Sequence, residues 1–351
     1  MAQNRGEWSE LYAILYLLLD EKLKIVNSDF DVKRDNIFKI KEIISNNKKS
    51  NILKFKILEN DILLTFDDVE ISINKKDISS QKEELLNSIQ KAPKSKGSFG
   101  IPKIKKWLLE KGITSNIKAD NKSKEDITLL NFDNLKNNEV LLGYSIKSQL
   151  GKPATILNSS KQTDFKYIVN GIDDKYIDEI NAINTPKKLF DRVNKIYELG
   201  GSIEFSEVVS DKFNNNLELV DTKLPSALAE ALLNSYIYGT KDLEKLFSMS
   251  TIYSKKIYKK KLEDFLLAIS FNMNPSENWD GEKKVNGGII VVSNDGNVYV
   301  LDLVYHEKEV KEYLLKNTKL DSPSSTRYDM LNLRKENGKI VFTLNLQVRY
   351  K

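Results

Sequence analysis

Asp126-Ile127-Thr128-Leu129-Leu130-Asn131-Phe132, followed by Val140-Leu141-Leu142-Gly143-Tyr144-Ser145-Ile146-Lys147-Ser148, is the stretch that decides the fold. Both runs read as strands and residues 133–138 between them as the turn, which makes a β-hairpin or two adjacent strands. Lys147 follows Asp126 by 21 positions, about one strand, a turn and a return strand. The two side chains can therefore converge at one end of the hairpin. Alternation puts Ser145, Lys147 and Gln149 on one face of the second strand, and Ile146 and Ser148 on the other.

Helices and further strands surround this hairpin. In residues 6–24, Trp8, Leu11, Tyr12, Leu15, Leu18 and Leu19 recur at helical spacing, interrupted by Glu7, Glu10 and Asp20. Residues 52–57 and 62–66 alternate as strands about the turn-prone Glu59-Asn60-Asp61. A short amphipathic helix over 82–90 runs into a basic linker over 91–98. Pro102 opens a helix to Lys111, with Gly112 as its cap. Later helices are expected over 185–199, 225–237 and 262–269. The tail reads as strand 288–293, an Asn294-Asp295-Gly296 turn, strand 298–304 and helix 307–316. A loop follows, then a hairpin closed by Glu336-Asn337-Gly338. The class is mixed, α/β or α+β, and three regions are expected, 1–95, 96–220 and 221–351, the basic linker marking the first boundary.

Composition narrows the chemistry. The 351 residues contain no cysteine and one histidine, His306. Disulfides, zinc fingers, thiolate catalysis and iron–sulfur clusters are excluded, and His-based zinc sites with them. The metal of a hydrolase built from this chain must be hard and held by oxygen ligands, which points to Mg²⁺ or Mn²⁺. The net charge of +5 leans mildly toward polyanionic partners. No leader pattern or ~20-residue apolar span is visible, so a cytoplasmic protein with no membrane association is expected.

Three places carry chemistry: the helix start Gly6-Glu7-Trp8-Ser9-Glu10, Asp126, and Ser145-Ile146-Lys147-Ser148. The arrangement suits metal-assisted phosphodiester hydrolysis. A carboxylate such as Asp126, with a second from a nearby helix, can hold a divalent ion against a phosphate, while a lysine orients water and stabilises developing charge. The bland reading stands beside it: Asp and Lys recur throughout so charged a chain, and Glu10 on an amphipathic helix is by default a solvated residue.

Resemblance tips the balance. Gly6-Glu7-Trp8-Ser9-Glu10-Leu11-Tyr12, Gly97-Ser98-Phe99-Gly100-Ile101-Pro102 and Gly143-Tyr144-Ser145-Ile146-Lys147-Ser148-Gln149-Leu150-Gly151 resemble the HpaII family of restriction endonucleases. So do Ala154-Thr155-Ile156-Leu157-Asn158-Ser159-Ser160, Ser322-Pro323-Ser324-Ser325-Thr326-Arg327 and Leu344-Asn345-Leu346-Gln347-Val348-Arg349-Tyr350. The resemblance implies a PD-(D/E)xK-like mixed sheet flanked by helices, with residues 96–220 as the nuclease core. The first region would lend that core a helix, and the last would serve DNA recognition. It implies a Mg²⁺-dependent type II site-specific deoxyribonuclease, with Mn²⁺ as a substitute, acting as a homodimer on both strands of a short palindrome, CCGG. A cognate DNA methyltransferase is implied as partner.

By the same resemblance Asp126 is the metal-binding aspartate and Lys147 the catalytic lysine. Ser145 stands where most members of the wider fold carry an acid, so a carboxylate must come from elsewhere. Glu10 on the first helix is the choice, Glu7 its competitor, and Asp133 competes with Asp126. For reading DNA, Arg327, Arg349, Asn158, Thr163, Gln149 and Lys152 are the candidates, since Arg and Lys fork onto guanine while Asn and Gln suit adenine. Lys161 and the Lys255–Lys261 run could grip backbone. Two rivals remain: a nicking or repair endonuclease on this fold, and a DNA-binding protein with a decayed site.

Overall fold

The computed structural model describes residues 2–34, 36–46, 52–93, 97–113, 125–282 and 285–351. Its contacts gather the chain into two compact units, Met1–Ala154 with Lys283–Tyr313, and Thr155–Glu282 with Leu314–Lys351. The chain thus passes between units near 154, 282 and 313; the expected regions end instead at 95 and 220. Residues 94–96 of the basic linker lie outside the described residues.

The first unit is a ten-stranded mixed sheet with helices packed on it. Its strand order is Val32–Arg34, Ile25–Val26, Val298–Asp302, Gly288–Val292, Asn138–Ser148, Ile127–Asp133, Phe38–Asn46, Ile52–Ile57, Asp61–Phe66 and Val69–Asn74. Two neighbour pairs are parallel, Ile25–Val26 with Val298–Asp302 and Gly288–Val292 with Asn138–Ser148. The hairpin read from sequence therefore sits at the sheet's centre, antiparallel, with Ile127 opposite Tyr144 and Asp133 opposite Asn138.

Helix Arg5–Asp20 lies against this sheet. Asn4 caps it reciprocally: its side chain accepts from the Glu7 amide at 3.0 Å while the Glu7 carboxylate accepts from the Asn4 amide at 3.0 Å. Trp8, Leu11, Ile14, Leu15 and Leu18 are essentially inaccessible, each contributing about 1.5–3 kcal/mol by leaving water. The second helix runs Lys75–Lys91, longer than the expected 82–90, because Asn74 caps it from the end of a strand and Ile78 is buried.

The second unit holds a four-stranded antiparallel sheet ordered Ser202–Val208, Asp164–Asn170, Lys339–Asn345, Arg334–Glu336. A smaller sheet is ordered Thr318–Leu320, Val348–Tyr350, Thr155–Leu157. Helices Lys188–Glu198, Leu224–Ile237 and Tyr258–Phe271 match the expected ones with shifted ends. The class is mixed α+β, a large mixed sheet flanked by helices.

Candidate active site

The hairpin register delivers the convergence that the spacing suggested. The Asp126 amide donates to Tyr144 O at 2.8 Å, which fixes the aspartate beside the far end of the return strand. Asp126 Oδ2 then accepts from the Ile146 amide at 2.6 Å and from the Ser145 hydroxyl at 3.2 Å. Lys147 Nζ donates to Ser145 Oγ at 2.6 Å and to Ile146 O at 3.2 Å, and lies 3.8 Å from Asp126 Oδ2. Ser145, only 2% exposed, is thus a hydroxyl bridge between ammonium and carboxylate. An acid there would face Asp126 across the same gap; the serine joins the two charged groups without adding charge.

Asp133 lies at the turn end of the hairpin, roughly 20 Å along the strand from this cluster at about 3.3 Å per residue. It is buried and accepts from the Leu135 and Lys136 amides and from the Tyr305 hydroxyl at 2.5 Å. Burial raises its carboxyl, but those hydrogen bonds win and hold it below the usual carboxylate range. Its work is to close the turn.

The first helix is tied to the return strand beside Lys147. The Ser148 hydroxyl donates to Ser9 Oγ at 2.8 Å, and the Ser9 hydroxyl to Arg5 O at 2.7 Å. One residue on from Ser9, Glu10 lines a cleft of about 610 Å³ that Asp126, Lys147, Gln149 and Lys152 also line. Glu7 is committed to the helix cap and is absent from that lining. Among the described residues, Glu10 and Asp126 are the carboxylates that line the cleft. Among the described residues no cluster of three or more His, Cys, Asp or Glu forms a ready-made metal cage.

Two cleft residues carried no role in the sequence reading. Arg5 donates through one guanidinium nitrogen to Ile89 O at 2.8 Å and Leu150 O at 3.0 Å, and through the other to Ala92 O. It fastens the helix start to the segment after Lys147. Asn294 enters from the 293–297 turn, which Tyr12 holds by donating to Gly296 O at 2.6 Å. Gly296 has φ +86°, and a Cβ there would meet Leu86 at 2.5 Å, so the turn requires glycine. The scarcity of arginine and the Asn-Asp-Gly turn were the available signals.

The remaining candidates belong to the second unit. Asn158 and Arg327 are exposed, and their neighbours Ser159 and Tyr328 are hydrogen-bonded to each other. Thr163 is fully buried, exchanging hydrogen bonds with Ser160 in a reciprocal cap. That burial leaves it no face to offer DNA. Arg349 Nε lies 2.8 Å from Asp321, a pairing that spends its charge within the protein. In the basic run, Lys260 pairs with Asp264 and Lys261 with Asp221, while Lys255, Lys256 and Lys259 are exposed. Lys161 is exposed too.

Comparison with known proteins gives this arrangement its class. The chain matches the HpaII restriction endonuclease family over residues 4–350. It is 33% identical to the type II restriction enzyme HpaII of Haemophilus parainfluenzae, over 99% of this chain and 98% of that one. No solved structure matches it. The protein is a type II restriction endonuclease, a site-specific deoxyribonuclease. Within that class the chain belongs to the HpaII restriction endonuclease family. No helix among the described residues is long and apolar enough to cross a membrane.

Proposed function

We propose that the protein hydrolyses both strands of double-stranded DNA at a short palindrome, CCGG by its resemblance, with Mg²⁺ held by Asp126 and Glu10 and with Lys147 as the catalytic cation. The reading makes the central sheet a PD-(D/E)xK-like core, the protein a cytoplasmic homodimer, and a DNA methyltransferase its partner in a restriction–modification system. A two-fold protein suits a two-fold site. The observation that carries it is the Asp126–Ser145–Lys147 chain of contacts in a cleft that Glu10 also lines.

The donor set fits a hard divalent cation. Glu10 and Asp126 supply carboxylate oxygen, and no sulfur or imidazole ligand is among the described residues that line the cleft. Asp126 Oδ2 is engaged by the Ile146 amide and Ser145, so Oδ1 is the oxygen offered. Bound Mg²⁺ would supply charge neutralisation at the scissile phosphate. Lys147 spends two of its three N–H donors on Ser145 and Ile146, which orients the third for a phosphoryl oxygen or the attacking water. Hydrolysis adds water across one P–O bond and leaves a 5′-phosphate and a 3′-hydroxyl. Gln149 and Lys152, exposed on the same cleft, suit phosphate contacts flanking the cut. Arg327 and Asn158 are the residues proposed to read bases.

Digesting DNA of known sequence with Mg²⁺, with Mn²⁺ and with chelator, then mapping fragment ends, tests the proposal. Cleavage of both strands at one palindromic word, abolished by chelator, is expected. Cutting that persists in chelator would remove the metal, and ends scattered over sequence would remove the palindrome.

A further inference from the structure

The loop that carries Arg327, though Ser- and Pro-rich in sequence, is hydrogen-bonded at both of its ends. At its start, Ser324 Oγ accepts from the Arg327 amide at 3.2 Å. At its end, the Leu331 amide donates to Thr343 O at 2.9 Å, and Leu331 is fully buried. Leu331 O accepts from Arg192 at 3.0 Å, a buried arginine whose other donors go to Ile183 O and Asn181 O. Asn181 in turn exchanges two hydrogen bonds with the Leu333 backbone, at 2.8 and 2.9 Å. Asp329 and Leu331 both adopt left-handed backbone, φ 47° and 54°; an aspartate enters that region readily, but a bulky residue such as Leu331 keeps it only where its surroundings impose it.

Tyr328 links this loop to a second one. Its hydroxyl donates to Ser159 O at 2.9 Å and accepts from Ser159 Oγ at 3.1 Å, while the Arg327 guanidinium lies over its ring at 5.4 Å. Ser159 is the neighbour of Asn158, which is exposed just past strand Thr155–Leu157. One side chain therefore supports Arg327 with its face and fixes the Asn158 segment with its hydroxyl.

We propose that Tyr328 is a positioning residue for sequence recognition, joining Arg327 and Asn158 into one preformed reading element for adjacent bases. The inference rests on the proposal above that these two residues read bases. An element ordered before DNA arrives loses little conformational freedom on binding, so its hydrogen bonds go to discrimination rather than to loop ordering.

The test measures binding to a duplex carrying the cleaved word, mapped by digestion, and to a scrambled duplex, at several salt concentrations without divalent metal. Tyr328→Phe keeps the ring and removes the hydroxyl. It is expected to weaken cognate binding about five- to tenfold, the scale of a lost hydrogen-bonded link. Scrambled-duplex affinity and the salt slope should not change. In the wild-type background, Arg327→Ala and Asn158→Ala should be non-additive on the cognate duplex; in the Tyr328→Phe background they should add. Cognate affinity unchanged by Tyr328→Phe, or an equal loss on both duplexes, would overturn the proposal. Should Tyr328→Phe lower the melting temperature, Ser159→Ala, which removes one of the two links, carries the same comparison with a smaller loss. If Arg327→Ala fails to distinguish cognate from scrambled DNA whatever stands at 328, base reading by Arg327 fails first and the inference falls with it.

Discussion

Lys147 meets Asp126 mainly through Ser145, and each of the three can be removed separately. Lys147→Ala is expected to cut the cleavage rate a hundredfold or more, on the order seen when other positioned charge stabilisers are lost. DNA affinity should hardly move, because the lysine serves the transition state more than the ground state; single-turnover cleavage beside a binding isotherm checks both. Asp126→Asn should abolish cleavage and slightly tighten metal-free DNA binding, since one negative charge facing the phosphate is gone. Weaker binding in that variant would count against a carboxylate facing the scissile phosphate. The pairing of Asp126 with Lys147 was legible from spacing alone, because a two-stranded hairpin folds position 126 back onto 145–147. The bridging role of Ser145 was not. In sequence it looked like a missing acid, and only the register reveals that its hydroxyl lies between the other two groups.

The first helix separates two neighbouring glutamates by function. Glu7→Gln keeps an acceptor for the Asn4 amide but removes a negative charge from the helix N-terminus, with an expected cost of about 0.3–1 kcal/mol in stability and little change in cleavage. Glu10→Gln should leave unfolding nearly unchanged while raising the Mg²⁺ concentration needed for half-maximal rate. Thermal melts and metal titrations of both variants decide, and a reversed pattern would shift the site by one helical turn. The hairpin turn makes a separate prediction. Asp133 has a depressed carboxyl in the folded state, so its stabilisation is present above the unfolded value near 3.9 and is lost as pH falls through the folded one. Asp133→Asn should therefore lower stability at pH 7 and flatten its decline in acid, as read by urea unfolding between pH 3 and 7. Sequence patterning found this hairpin but missed strand Phe38–Asn46 beside it. The reason is local: the register slips between Ile40 and Glu42, a bulge at Lys41. Phe38 and Ile40 point inward, then Ile43 and Ser45 do, so the period of two breaks mid-strand. The short strands Ile25–Val26 and Val32–Arg34 are likewise too brief to establish a period.

At the scale of the whole molecule, composition had already removed thiolate chemistry and His- or Cys-based zinc sites, and the large mixed sheet follows from strands at both ends of the sequence. A homodimer cutting both strands should convert supercoiled plasmid directly to linear product; accumulation of open circle would favour the nicking rival. The sheet's order carries one more consequence. Lys147 sits on a strand whose parallel neighbour supplies Val291 opposite it, about 140 residues later in the chain. At roughly 5–20 residues per second of synthesis, that neighbour leaves the ribosome some seven to thirty seconds after the lysine does. Until then the strand that holds Lys147 lacks one side of its hydrogen-bonding ladder, and the turn that presents Asn294 to the cleft does not exist. A nascent chain that ends before this strand is thus a nuclease without an assembled site, and the order of translation itself delays the appearance of an activity aimed at DNA until residues 288–297 have been made.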